Sequence, residues 1–338
     1  MTALVVKACG PGTTIQDHGR FGWQRYGIGP AGAMDAISHT MANALVGNAA
    51  GTAAIELAVA GARFDVQRGP VRVALAGAAA DLMIGGRRIP PLTSASAGDG
   101  ETIEIGPARK GMFSYLAVAG GIDSPPQLGS RSMHMRAALG GAPLSAGSRI
   151  AVAAAAPGPE RAAKGGFDLG QGPIRVVLGP QADYFTDGAI ATLREATYLV
   201  TPQADRMGIR LSGPKLEHSA LGYNIVSDGI ATGSIQVPGA GEPLILLADR
   251  QTTGGYPKIA TVISADLPRL AQSPPGTGLR FAIVTVAEAV DILRRQKAAL
   301  ADWIASIGEA GIADLTSERL LSLNLIDGWR SAHDREPS

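Results

Sequence analysis

Ala54-Ile55-Glu56-Leu57-Ala58-Val59-Ala60-Gly61 returns in pattern, 180 residues later, as Ser234-Ile235-Gln236-Val237-Pro238-Gly239-Ala240-Gly241. Each is a short apolar run with one polar residue, closed by a glycine turn. A second echo joins Thr14-Ile15-Gln16-Asp17, with Arg20 and Gly22, to Thr201-Pro202-Gln203, with Asp205, Arg206 and Gly208. Each half also opens on a strand-like run into Gly-Pro, at Gly10-Pro11 and Gly179-Pro180. Self-similarity at so long a period indicates two copies of one domain, not a solenoid. Short strands and tight turns in each copy favour two small closed or nearly closed β-barrels. Chance likeness in a Gly- and Ala-rich chain is the competing explanation.

Composition agrees with two mainly β domains. The chain has 338 residues, 46% of them hydrophobic, enough for a sizeable core. Its 45 glycines and 22 prolines follow no Gly-X-Y period, which excludes collagen. Net charge is +1 with no large block of one sign, so neither nucleic acid nor a membrane surface is an expected partner. With aromatic residues at 4%, platforms for stacking bases are scarce. The lone Cys9 cannot form an internal disulfide and reads as a small buried hydrophobe. The five histidines are scattered, and no metal site is expected. No signal-peptide core and no apolar run of membrane-spanning length is present, so the expected location is cytoplasmic.

The apolar patterning predicts a first domain over 1–155, a linker over 156–172, a second domain over 173–285 and a helical extension over 286–338. Strands are expected at 3–9, 53–59, 71–76, 102–105 and 115–118, then at 174–178, 235–237, 244–247, 259–263 and 279–284. Met34, Ile37, Met41, Ala44 and Leu45 have helical spacing, with Gly47-Asn48 as a C-cap. A short helix is expected over 181–193. The stretch 153–172 is rich in Ala, Gly and Pro and lacks a period, as a linker would. Thr285-Val286-Ala287-Glu288 is a capping box that opens a helix to about residue 307, with a second short helix over 317–323 and a polar tail.

The chemistry concentrates in Leu247-Ala248-Asp249-Arg250-Gln251-Thr252-Thr253-Gly254-Gly255-Tyr256-Pro257-Lys258. A polar loop held between apolar strands is a common way to present a site; the plainer reading is a glycine-rich surface turn. Asp249, Tyr256 and Lys258 are candidate catalytic groups: a base, a proton or hydrogen-bond donor, and a cation. Arg250, Gln251, Thr252, Thr253, Gly254 and Gly255 are candidate substrate contacts, the glycines by letting backbone amides approach a ligand.

A second cluster runs from Thr13 to Gly22. Asp17 beside His18 reads as a general-base pair, although neighbours on a strand point to opposite faces. Arg20 can clamp a carboxylate or phosphate. Asp35 is either a first-turn acid favoured by the helix dipole or a substrate contact. Asp205 and Arg206 are either substrate contacts or a local ion pair. Gln236 is a polar group in an apolar strand, which costs free energy without a partner. No phosphate-loop or nucleophile-elbow sequence occurs, nor the usual biotin-attachment sequence.

Several of these residues carry a resemblance. Gly10 to Arg20, Gly32-Ala33-Met34-Asp35, Ala42-Asn43 to Asn48, Ser130-Arg131-Ser132, Asp205 to Leu211, Gln236-Val237-Pro238 and the block Ala248 to Leu270 resemble the biotin-dependent carboxyltransferase family. This family is also known as the allophanate hydrolase subunit 2 family. It includes proteins like the C subunit of 5-oxoprolinase and the antagonist of a sporulation-kinase inhibitor. The resemblance covers about residues 3–285. It implies tandem cyclophilin-like β-barrels with a few short helices. It also implies a small amide-like substrate and a partner like subunit 1 of allophanate hydrolase or the B subunit of 5-oxoprolinase. Ala31 stands where many relatives carry Ser, and 139–144 looks shorter than usual.

Three functions follow from the resemblance. The first is a subunit of an ATP-dependent 5-oxoprolinase-type amidohydrolase, opening a lactam, with ATP used through the complex. The second is the carboxyltransferase subunit of a urea carboxylase-like system, using carboxybiotin on a separate carrier. The third is a regulatory binding protein without turnover.

Overall fold

A computed structural model describes residues 1–310. The chain is mainly β. Its first half holds two antiparallel sheets. One is ordered Arg149–Ala151, Ala3–Cys9, Ala62–Gln67, Thr102–Ile105, Leu82–Ile84, Arg87–Ile89. The other is ordered Thr14–Gln16, Ala54–Ala58, Lys110–Val118, Val71–Ala79, Ser94–Ala97. Alternate residues of Ala62–Gln67 are buried, so Phe64 and Val66 turn inward while Arg63 and Gln67 face solvent. Those inward side chains meet Ile55, Leu57, Val73 and Leu116 of the other sheet in one core.

The second half is one eight-stranded sheet. Its order is Gly278–Leu279, Tyr198–Ala204, Gly208–Ser212, Leu244–Leu246, Ser234–Gln236, Lys258–Val262, Ile174–Leu178, Phe281–Ile283. The two edge strands are separated in sequence only by Arg280, so the sheet is nearly closed. Closing a sheet removes the exposed edges that would otherwise pair with other chains.

Helix α1 (Ala36–Leu45) matches its predicted spacing. It buries Ile37, Met41 and Leu45 in a core that also takes in Ile235, Ile245 and Ile259 of the second half. The halves therefore share hydrophobic packing and are held against each other. Where a continuous helix over 181–193 was expected, a 3-10 turn at Ala182–Tyr184 precedes α2 (Asp187–Glu195). The break falls at Thr186, whose hydroxyl caps the Ala189 amide. Helix α3 (Leu267–Ala271) was not foreseen; Pro268 sits in its first turn, where its missing N–H costs nothing. Helix α4 (Val286–Ala305) opens on the expected capping box of Thr285 and Glu288.

The predicted linker carries more order than its composition suggests. Arg161–Ala162 pairs with Gly308–Glu309, and the Glu160 carboxylate accepts the Ser96 amide. The strands that were missed include Ala62–Gln67, the hairpin Leu82–Ile84 with Arg87–Ile89, Ser94–Ala97, Tyr198–Ala204 and Gly208–Ser212. The expected helix over 317–323 and the tail lie outside the described residues. No helix of the described residues is long and apolar enough to cross a membrane.

Candidate active site at the seam between the halves

Glu56 stands in the middle of the apolar strand Ala54–Ala58 and is fully buried. A lone carboxylate there would be very costly, so its partners define the site. Arg206, from the turn between two strands of the second half, reaches across and pairs with it. The same guanidinium donates through Nε and Nη2 to both oxygens of Asp249, each at 2.9 Å, and through Nη2 to Gly32 O at 2.7 Å. Tyr115 donates its hydroxyl to Glu56 at 2.8 Å, and the Met34 amide adds a bond at 2.9 Å. Glu56 and Asp249 hold the Arg206 pKa above its ordinary value, although burial opposes them. Burial first, then Glu56 and Asp35, raises the Tyr115 phenol well above its usual range.

Asp35 extends this network. Its backbone N–H donates to the Tyr115 hydroxyl at 2.8 Å. Its carboxyl accepts from the Ser38 amide and hydroxyl and from Gln272 Nε2 at 2.9 Å. It is thus the N-cap of α1 and also a tie to the second half. Burial pushes its carboxyl up. Gln272 completes the tie by accepting the Met112 and Phe113 amides and donating to Phe113 O. A cavity of about 450 Å³ opens beside these groups, lined among others by Asp35, Ser38, Gln272, Arg88 and Phe167.

Asp17 does not pair with His18. Its carboxylate accepts from the hydroxyls of Ser130 and Ser132 and from the amides of Arg131 and Gly19. Burial opposes ionisation, but the four hydrogen bonds win and hold its pKa below the ordinary value. Such a carboxylate anchors the 130–132 segment. His18 instead faces His39, ring centroids 5.5 Å apart. Burial first, then His18, lowers the His39 pKa to about 4. Arg20 is 1% exposed and donates to Ser132 O and, at 3.5 Å, to Gln127 O.

The 247–258 loop divides between two places. Asp249 belongs to the seam. Arg250 is buried beneath it, donating to Ile230 O at 3.1 Å and Gln24 Oε1 at 3.2 Å, and burial pushes its pKa down to about 10. Gln24 Nε2 in turn donates to Ile230 O and to Thr252 O, so a first-half turn clasps this loop. Thr253–Gly254 pairs with Asp228–Gly229 in a two-residue ladder. Lys258 is buried and forms an ion pair with half-exposed Asp228 at 2.9 Å. Gln236 donates to Tyr256 O at 3.3 Å, and the Tyr256 side chain faces solvent. A Cβ on Gly254 would lie 2.6 Å from Gln236 Nε2, so the glycine makes room for that amide. Gly255 lies alongside, its carbonyl accepting the Ile225 amide.

Two candidates fall elsewhere. Asp205 does not pair with Arg206; it caps the amides of Met207 and Gly208. Gln251 lies with Asp205 and Arg210 at a separate cavity of about 390 Å³. The sequence reading missed Glu56, Tyr115, Gln272, His134, Gln24 and Asp228, and named Ser132 only among the residues that carry the resemblance. Glu56 carried a legible signal, since it interrupts an apolar strand as Gln236 does. Gln24 sits in a 3-10 turn and Asp228 in a two-residue ladder, with nothing in either segment to single them out. Among the described residues no three His, Cys, Asp or Glu gather to hold a metal ion.

Residues 26–283 match the carboxyltransferase domain family, subdomains A and B. The chain is 34% identical over 296 residues to the C subunit of 5-oxoprolinase from Haemophilus influenzae, covering 84% of this chain and 92% of that protein. It is 33% identical over 303 residues to the C subunit of 5-oxoprolinase from Escherichia coli, covering 87% and 95%. Among solved structures, the TTHA0988 protein has a TM-score of 0.76 at 36% identity, covering 83% of this chain and 56% of that one. The urea carboxylase of Kluyveromyces lactis has a TM-score of 0.81 at 26% identity, covering 94% of this chain and 30% of that one.

Proposed function

The chain belongs to the carboxyltransferase domain family, and from that premise we propose that it is a subunit of a 5-oxoprolinase-type ATP-dependent amidohydrolase. It would open a lactam, 5-oxoproline to glutamate, together with a partner like the B subunit of 5-oxoprolinase or subunit 1 of allophanate hydrolase. The observation that carries this reading is the match over 92% and 95% of two 5-oxoprolinase C subunits. The geometry supports it through the seam. Charged and polar groups of both halves are fixed there at low dielectric, with little reorganisation needed as charge develops on a reacting carbonyl.

Within this reading Asp249 and Arg206 act as one unit. Arg206 fixes the Asp249 carboxylate through both of its oxygens. Lys258, held by Asp228, supplies a second cation, and Tyr256 an exposed hydroxyl at the loop rim. The seam does not fit a triphosphate. Arg206 is already neutralised by Glu56 and Asp249, Lys258 is paired with Asp228, and Arg250 is spent on carbonyl oxygens and Gln24. We therefore assign ATP to the partner subunit.

A second reading, carboxyl transfer to or from carboxybiotin on a separate carrier, is favoured by the fold match to urea carboxylase over 94% of this chain. The deciding experiment is assembly of the chain with its neighbouring gene products, followed by an assay for glutamate from 5-oxoproline and ATP. Formation of glutamate only when this chain is present supports the first reading. Its absence, with capture of a biotinylated carrier domain, supports the second. Tight binding of one partner, with no turnover and no effect of Asp249→Ala, would make the chain a regulatory protein.

A further inference from the structure

Two buried side-chain donors at the seam have no acceptor. Arg20 Nη1 and His134 Nε2 are both unpartnered, in side chains 1% and 3% exposed. A donor left unmatched in the interior costs about 1–3 kcal/mol, so a pair of them in one neighbourhood calls for an occupant. They are in one neighbourhood. Arg20 Nη2 binds Ser132 O, two residues before His134, and the Arg20 amide donates to Pro30 O. The adjoining Gly29 faces His134 itself: a Cβ there would lie 3.1 Å from Nε2.

The histidine tautomer follows from its other nitrogen. The Ala137 amide donates to Nδ1 at 3.3 Å, so Nδ1 is the acceptor and the neutral ring carries its proton on Nε2. Burial favours that neutral ring. Arg20 and His134 therefore present N–H groups only. Across the same gap lies an acceptor: the Gly29 Cβ position is also 3.1 Å from Arg250 O. Asp249, next in sequence, interacts with both Arg20 and His134.

An anion does not suit this place. Arg20 already faces the carboxylates of Asp17 and Asp249, and Arg206 is already paired with Asp249 and Glu56, so neither guanidinium is left to neutralise a further negative charge. A neutral group with an acceptor oxygen beside an N–H suits it better. We propose that Arg20, His134 and Arg250 O form a subsite for one neutral amide unit, the two side chains donating to its carbonyl oxygen and Arg250 O accepting its N–H. A lactam and a ureido group share that unit. The proposal deepens the amidohydrolase reading above and rests on it for the substrate class. Gly29 is then required because any side chain would fill the gap between donor and acceptor.

The test uses the full chain labelled with 15N-histidine and the probe 2-pyrrolidinone, a lactam without a carboxylate. The His134 Nε2–H resonance should move saturably as the probe is added. Gly29→Ala, which adds only a methyl group in the gap, should abolish that shift while the thermal midpoint stays within a few degrees. His134→Leu should weaken probe binding about tenfold, the worth of one hydrogen bond, and His134→Gln, which keeps a donor, should restore most of it. A His134 signal that ignores the probe, as it would if only an ordered water sat there, overturns the proposal. So does a shift that persists in Gly29→Ala. Glutamate formation by the assembled complex is measured in parallel. Turnover without a probe-induced shift removes the subsite and leaves the amidohydrolase reading; a shift without turnover does the reverse.

Discussion

Replacing Arg206 by Met removes the cation that pairs with Glu56 across the seam. Met fills much of the same volume, so the change is electrostatic more than steric. It leaves Glu56, wholly buried, and Asp249, with a side chain 7% exposed, without their shared counter-ion. Breaking a buried ion pair by removing one partner costs about 3–5 kcal/mol, because the remaining charge stays buried. Two carboxylates are stranded here, so the upper end, about 5 kcal/mol, is expected. Tyr115 and the Met34 amide still serve Glu56 and prevent a larger loss. At about 2–4 °C per kcal/mol for a chain of this class, the thermal midpoint should fall by about 10 °C or more. Urea unfolding followed by circular dichroism measures the loss. Adding Glu56→Gln and Asp249→Asn to Arg206→Met should recover at least half, since the stranded charges are then gone. A single variant within about 1 kcal/mol of wild type, or a triple variant no more stable than the single one, would refute the argument that charge pairing holds the seam.

Four further outcomes are expected. His39 is buried neutral with its pKa lowered to about 4 from 6.5, so the unfolded chain binds more protons between those values. Its contribution is therefore intact above pH 6.5 and lost as pH falls toward 4, up to about 3 kcal/mol, and His39→Gln should flatten that limb of a stability–pH curve. Asp17 has the opposite chemistry: its depressed pKa stabilises above the ordinary 3.8 and is lost below it, so Asp17→Asn should cost stability at neutral pH and little in strong acid. Gln272→Leu leaves the Met112 and Phe113 amides without their acceptor and should destabilise by about 2–4 kcal/mol in urea melts. Lys258→Met should keep the fold, with a thermal midpoint within a few degrees, yet lower turnover of the assembled enzyme by about a hundredfold or more; unchanged turnover would remove Lys258 from the chemistry.

The sequence was most legible where a single local rule decides. The capping box of Thr285 and Glu288, the spacing of Ile37, Met41 and Leu45, and the apolar runs Leu244–Leu246 and Lys258–Val262 all became the expected elements. It was least legible where polar residues alternate with small ones. Tyr198–Ala204 contains Pro202 and exposes an apolar residue, Leu199, as well as a polar one, Gln203, so neither period stands out, and its place in the sheet is set by its neighbours. The site was legible in parts. Asp249, Arg206, Asp35 and Arg20 were singled out, but Glu56, Tyr115 and Gln272, which tie them together, were not, because partnership across 150 residues, as between Arg206 and Glu56, leaves no local trace. Asp205 and Arg206 illustrate the limit: neighbours in sequence, they point apart, one to cap its own turn and the other to cross the seam. Glu56 was within reach, since the strand echo had already aligned it with Gln236, and one rule covers both.

The most direct measurement is glutamate release from 5-oxoproline and ATP by this chain assembled with its partner subunits. The account predicts ATP-dependent product with wild type, none when this chain is left out, and a steep loss with Asp249→Asn. No product with every partner present, or full activity from the Asp249→Asn assembly, would contradict it.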